Sequence, residues 1–346
     1  MKRIEWVDSA KYFCAMAIII EHVSVSPAAL TVLFATWMLE GFFFLAGYVH
    51  KSGQSFGKFI VKKIKCLLVP WLVFSLLDIT LSHIVSFREH GSFINELLWN
   101  FAQIRGIKAQ LWFLPALFVT FIPFYFFVEL YEKKAEPENG KRPLFFVLIA
   151  LGLFVLVIVY NHLMAPHPFP WGNTSLPWYL DYMFVAMFPM VLGYFMRHNY
   201  EGVFDRLNTR TNRLIALALF LCAVYYPYVT PFRLPDALAG IQLRFINPYL
   251  GLITLFAFCK VMKPNRYMTY IGRNTLLCFA LHGKLLAFAE GVLKRIMPEA
   301  YALLASNTFL SFAYSLALAL AVSLVVIIPI YIVNRWFPFL IGKARR

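Results

Sequence analysis

Four ionisable residues interrupt one apolar stretch near the start of the chain, Trp6-Val-Asp-Ser-Ala-Lys-Tyr-Phe-Cys-Ala-Met-Ala-Ile-Ile-Ile-Glu-His-Val-Ser24: Asp8, Lys11, Glu21 and His22. An ionisable group at the centre of a bilayer costs about 2.5–3.5 kcal/mol on insertion scales, so such groups usually mark function. Lys11 and His22 are eleven residues apart. On a helix that is close to three turns, which puts both on one face about 16 Å apart along the axis. A lysine near one membrane surface can hold an anionic group. A neutral imidazole in a partly dry cavity can take the proton of a hydroxyl, the requirement for general-base chemistry. The pair therefore suits a ligand that reaches across the membrane half by half. The plainer reading is that Lys11 snorkels to the interface and pairs with Asp8, while His22 caps the helix end.

Other residues extend this set. Glu40 precedes the run Phe42-Phe-Phe-Leu-Ala-Gly-Tyr48 in the next apolar segment, where an apolar residue would be cheaper. It is expected either to be a protonated acid between helices or to orient His22. Glu21 competes for that role less directly, being about 100° away around the helix. Lys58, Lys62 and Lys65 fall on one side of a helix leading to Pro70-Trp71 and form a candidate phosphate site. Topology signalling and contact with anionic lipid explain them equally well. In Ile271-Gly-Arg-Asn-Thr-Leu-Leu-Cys-Phe-Ala-Leu-His282, Arg273 opens a span and Thr275 shares a face with His282. Trp112, in Leu111-Trp-Phe-Leu114, reads as an interfacial anchor or a substrate contact. His162, His167 and Asp181 lack ligand spacing, so no metal site is expected.

The elements that must position these residues are membrane helices. Of 346 residues 61% are hydrophobic and 14% charged, with a mean hydropathy of +0.68, more apolar surface than a soluble domain can hide. Apolar runs near twenty residues predict an all-α polytopic protein of about ten spans, near 10–30, 32–49, 66–86, 111–131, 143–162, 176–196, 213–230, 243–262, 274–293 and 308–333. An inside N-terminus places 23 of the 32 Lys and Arg residues in cytoplasmic segments and seven outside, with Lys11 and Lys284 within spans. That asymmetry predicts both termini in the cytoplasm. It also explains the net charge of +15 without nucleic acid. A cleaved signal peptide is the competing reading of the first segment, and the embedded Lys11 and Glu21-His22 fit a retained helix better. One transmembrane domain over 1–346 is expected, with no separate soluble domain. The five cysteines have no CxxC spacing and read as buried apolar residues.

These landmarks resemble the membrane acyltransferase-3 family: Trp6-Val-Asp8 with Lys11 and His22, then Phe42–Tyr48, the basic run into Pro70, Leu111–Leu114, and Gly272-Arg-Asn274 leading to His282, in order over nearly the whole chain. Lys11, where many members carry Arg, is closer to the branch resembling fucose O-acetylases. The resemblance implies an acyl group, most often acetyl from cytoplasmic acetyl-CoA, moved to a hydroxyl of an extracytoplasmic glycan or lipid-linked sugar at a bacterial cytoplasmic membrane. Acyl-CoA would be a substrate, with no permanently bound cofactor. His22 would be the base; the support of Glu40 or Glu21 comes from the residues alone, since the family commonly has an apolar residue or Pro where Glu40 stands. Lys11, Lys58, Lys62 and Arg273 would face the donor's phosphates, and Trp112 and His282 the substrate. The alternatives are an O-succinyltransferase of the same family, a flippase or transporter of a lipid-linked glycan, and an accessory export protein.

Overall fold

A computed structural model describes residues 4–85, 92–107, 111–133, 142–230 and 234–343. Lys2, Arg3, Arg88, Lys108, Lys134, Lys141, Arg233, Arg345 and Arg346, which entered the charge count, lie outside the described residues. All regular structure among the described residues is helical. Nine helices among them are long and apolar enough to cross a membrane: Ala28–Tyr48, Phe56–Ile84, Phe113–Lys133, Pro143–Met164, Pro177–Leu207, Arg210–Val229, Leu238–Val261, Thr275–Ile296 and Thr308–Trp336. They correspond to the second through tenth expected spans. The first expected span is the exception. Helix α1 (Glu5–Glu21) has only 17 residues, because the chain leaves helical geometry at His22 rather than continuing to residue 30. The Val-Ser-Val-Ser-Pro27 sequence explains the stop: β-branched and hydroxyl residues favour other conformations, and Pro27 disfavours helix before it.

The chain forms two compact units, one of residues 1–42 and 201–332, the other of 43–200 and 333–346. In the first unit α1 is the central element. Its first turn carries Glu5 and Asp8, which suit the positive end of the helix dipole. Its small residues Ala10, Cys14, Ala15 and Ala17 are buried and let neighbours approach closely. It packs against the Arg266–Arg273, Asn247–Val261, Thr275–Ile296 and Thr308–Val325 helices. The return from α1 is made by α2 (Ala28–Ala35) and α3 (Met38–Tyr48), separated by a turn at Thr36–Trp37. Two glycines set the approach distances. A Cβ on Gly41 would sit 2.6 Å from Cys14 Sγ, and one on Gly272 would sit 1.9 Å from the Asp8 carbonyl oxygen.

The second unit packs its helices around Phe43, Leu45, Tyr48, Phe124, Met190, Tyr194 and Phe195, all essentially inaccessible. Helix α4 (Phe56–Lys63) widens into a π-turn over Ile64–Leu68 before continuing as Val69–Val85. Arg105 holds a second set of connections in place. It donates to Ser175 Oγ at 3.1 Å and to Asp181 Oδ2 at 2.6 Å, with the Asp181 side chain fully buried. Close by in sequence, Gln103, Leu111, Trp178 and Tyr179 adopt left-handed backbone conformations that cost non-glycine residues energy.

Candidate active site

The site in the first unit forms where α1 ends. The His22 ring folds back so that Nδ1 lies 2.8 Å from the Ile18 carbonyl oxygen. A carbonyl can only accept, so Nδ1 carries the proton and Nε2 presents a lone pair. Glu21 Oε2 is 3.5 Å from the same Nδ1 and would stabilise an imidazolium. The helical spacing predicted a poor Glu21–His22 contact. His22 is the αR C-cap of α1, and the contact arises because its ring folds back along the helix toward Ile18, within reach of the Glu21 carboxylate. The His22 side chain is half exposed, at 52%.

His282 stands edge-on to His22, with ring centroids 5.0 Å apart and planes at 88°. Its Nδ1 is likewise 2.8 Å from a backbone carbonyl, that of Phe279. Its Nε2 is buried and has no hydrogen-bond partner among the described residues. A buried acceptor left unsatisfied costs about 1–3 kcal/mol, so this one is poised for a donor that arrives from outside. Two imidazoles thus present acceptor nitrogens, one open to solvent and one enclosed. Sequence reading identified each residue separately. Their meeting was not visible, because they lie on helices distant in sequence.

Glu40 does not orient His22. Among the described residues no hydrogen bond or ion pair joins them. Glu40 lies within electrostatic range of Cys14, as does Lys11, and Gly41 abuts the Cys14 sulfur. Cys14 precedes His22 by eight residues, about 12 Å along the helix. The expectation of similar depth fails because residues 22–27 are a loop and the α2–α3 return is offset by it. Glu40 therefore lies at the level of Cys14 rather than beside the imidazole. Asp8 accepts from Arg273 Nε at 3.3 Å, so Arg273 is tied to the start of α1 while its side chain stays 44% exposed. Thr275 and His282, expected on one face, do line one crevice.

A residue that sequence reading passed over holds the loop after His22. Glu290 is buried and accepts two hydrogen bonds from Ser24, from the backbone N at 2.9 Å and from Oγ at 2.6 Å. The signal was present as an acid inside an apolar run. Hydrogen bonds to a charged acceptor contribute about 1.5–3 kcal/mol each, so Glu290→Ala is expected to lower the thermal midpoint in detergent, with Glu290→Gln intermediate. A Glu290→Ala midpoint equal to that of wild type would contradict the clamp.

The remaining candidates lie in the second unit. Lys58, Lys62 and Lys65 line an open concavity of about 580 Å³ with Gly57, Val61 and Gly342. Gly342, at φ +69°, lets the chain turn within contact of the Lys65 carbonyl. Lys63 points elsewhere, its Nζ 3.3 Å from the Phe121 ring centre. The positive field on this side is felt by His50: burial first, then Lys63, His198 and Lys62, push its pKa down to about 4. Trp112 stacks on Tyr179 at 5.1 Å and meets Tyr182 edge-on. Among the described residues no cluster of three or more His, Cys, Asp or Glu could hold a metal ion.

The family model for the acyltransferase domain of acyltransferase-3 proteins matches residues 4–331. No curated protein and no solved structure matches the chain.

Proposed function

The chain belongs to the acyltransferase-3 family and is a multi-pass membrane acyltransferase, and from that premise we propose that it moves an acetyl group from acetyl-CoA to a hydroxyl of an extracytoplasmic glycan. The observation that carries the reading is the His22 ring. Its Nδ1 is committed to Ile18 and Glu21, and Nε2 remains as a base on a half-exposed side chain. A sugar hydroxyl can reach that nitrogen. His282, 6% exposed, is inaccessible to a sugar and suits the slender thioester arm of the donor, whose amide N–H would satisfy Nε2.

In the reaction the hydroxyl proton passes to His22 Nε2 as the oxygen bonds to the thioester carbonyl carbon. The carbon–sulfur bond then breaks, and the leaving thiolate takes the proton from the imidazolium as it becomes the thiol. Glu21 offsets the positive charge held by His22 between these events. Lys11 and Arg273 in the first unit, and separately Lys58 and Lys62 in the concavity of the second, are each proposed for the donor's phosphates. The charge bias supports both termini in the cytoplasm and a cytoplasmic donor side; the proposed bacterial inner-membrane location rests on the family alone.

Isotope-labelled acetyl-CoA added to inside-out vesicles carrying glycan acceptor tests this. Label in the glycan is the expected result. Glycan movement with no label incorporated would overturn it in favour of transport. In the same assay Lys58→Ala and Lys62→Ala are each expected to raise KM for acetyl-CoA several-fold with kcat unchanged. The effect should shrink at high salt, as exposed charge contacts are screened. An unchanged KM would remove these lysines from the donor site.

A further inference from the structure

Beside His282 runs a narrow crevice between α1 and the Thr275–Ile296 helix, walled by Ile18, Ile19, Phe42, Thr275 and Cys278. Its free volume is about 10 Å³. That is about one water-sized probe sphere, so it admits one small group and no chain. No cation lines it. A carboxylate placed there would lose its hydration without gaining a cationic partner. A methyl group would instead gain by leaving water.

Resting on the acyl transfer proposed above, we propose that this crevice seats the alkyl end of the donor's acyl group and that Ile18 sets the length it accepts. Ile18 occupies a distinctive position. Its carbonyl anchors the His22 ring, and its side chain, 4% exposed, walls the crevice. One residue therefore fixes both the base and the space beside it. His282 lines the same crevice and His22 stands edge-on to it, so a donor thioester presented to His22 has its acyl end beside this wall. The crevice selects acetyl over longer chains by volume and over succinyl by charge.

Ile18→Ala removes the wall and leaves the carbonyl that holds His22. The purified full-length protein, wild type and Ile18→Ala, is assayed with acetyl-, propionyl-, butyryl- and succinyl-CoA. Thr275→Ala, which opens the opposite wall, serves as a second variant should Ile18→Ala fold poorly. The expected result is at least a tenfold rise in the butyryl-to-acetyl ratio of kcat/KM for Ile18→Ala and a smaller rise for Thr275→Ala. Succinyl-CoA should stay a poor donor throughout. Wild-type acetyl transfer with both variants keeping the wild-type profile would overturn the crevice and leave the proposed reaction standing. Efficient succinyl transfer by wild type would also overturn the crevice. A wild-type protein that transfers no acyl group from any donor would overturn both.

Discussion

Replacing His22 with alanine is expected to lower kcat for acyl transfer by about 10²–10⁴-fold, the usual share of a positioned general base. The thermal midpoint should barely move. The ring is half exposed, and truncation forfeits chiefly its edge-on contact with His282, about 0.5–1.5 kcal/mol. His22→Asn separates basicity from shape. An asparagine amide can still donate to the Ile18 carbonyl, yet it cannot take up a proton near neutral pH. Asn and Ala should therefore be about equally inactive, as read from label transfer at saturating acetyl-CoA alongside the melting curve. A His22→Asn enzyme within threefold of wild type would remove the base assignment. A collapse of the melting curve in both variants would instead make His22 a structural residue.

Gly272→Ala is expected to be the most damaging small substitution in the first unit. The added carbon would sit 1.9 Å from the Asp8 carbonyl oxygen and 2.7 Å from its carbon, both backbone atoms of α1. No rotamer change relieves a clash between two helix backbones. The helices must separate, weakening the Asp8–Arg273 pair and the packing of α1 together. Overpacking ordinarily costs about 1–3 kcal/mol, occasionally more, and a rigid backbone obstacle places this case at the upper end or beyond. Gly283 supplies the contrast, because a Cβ there meets nothing within 4 Å. Gly283→Ala should leave the midpoint unchanged or raise it, by up to about 1 kcal/mol of helix propensity. Size-exclusion profile and melting midpoint of the two variants check the pair. Equal midpoints would mean that α1 and the Arg266–Arg273 helix do not pack this closely.

Spans and local faces were legible in the sequence, and distant meetings were not. Apolar run length located nine helices, since the bilayer dictates length and composition directly. The i, i+4, i+7 spacing correctly grouped Lys58, Lys62 and Lys65, because neighbours on a short helix need no tertiary information. The same logic placed Thr275 with His282. It failed for Glu40, where the outcome hung on a loop length and on the offset it imposes on the returning helix. It also failed at Glu21, where the imidazole folds back along the helix and closes the gap that the angular argument left. The His22–His282 contact and the Ser24–Glu290 clamp join residues more than 250 positions apart. Spacing along one helix carries no information about such a partner.

For covalent labelling the inner loop carries its own internal standard. Lys58, Lys62 and Lys65 hold their amines at the surface of one concavity, while Lys63 lies against the Phe121 ring. An amine-reactive reagent therefore meets three open nucleophiles and one shielded by an aromatic face within a single peptide. Occupancy of the concavity changes the reactivity of the three and leaves the fourth as the reference, so the ratio within that peptide reports on this face alone.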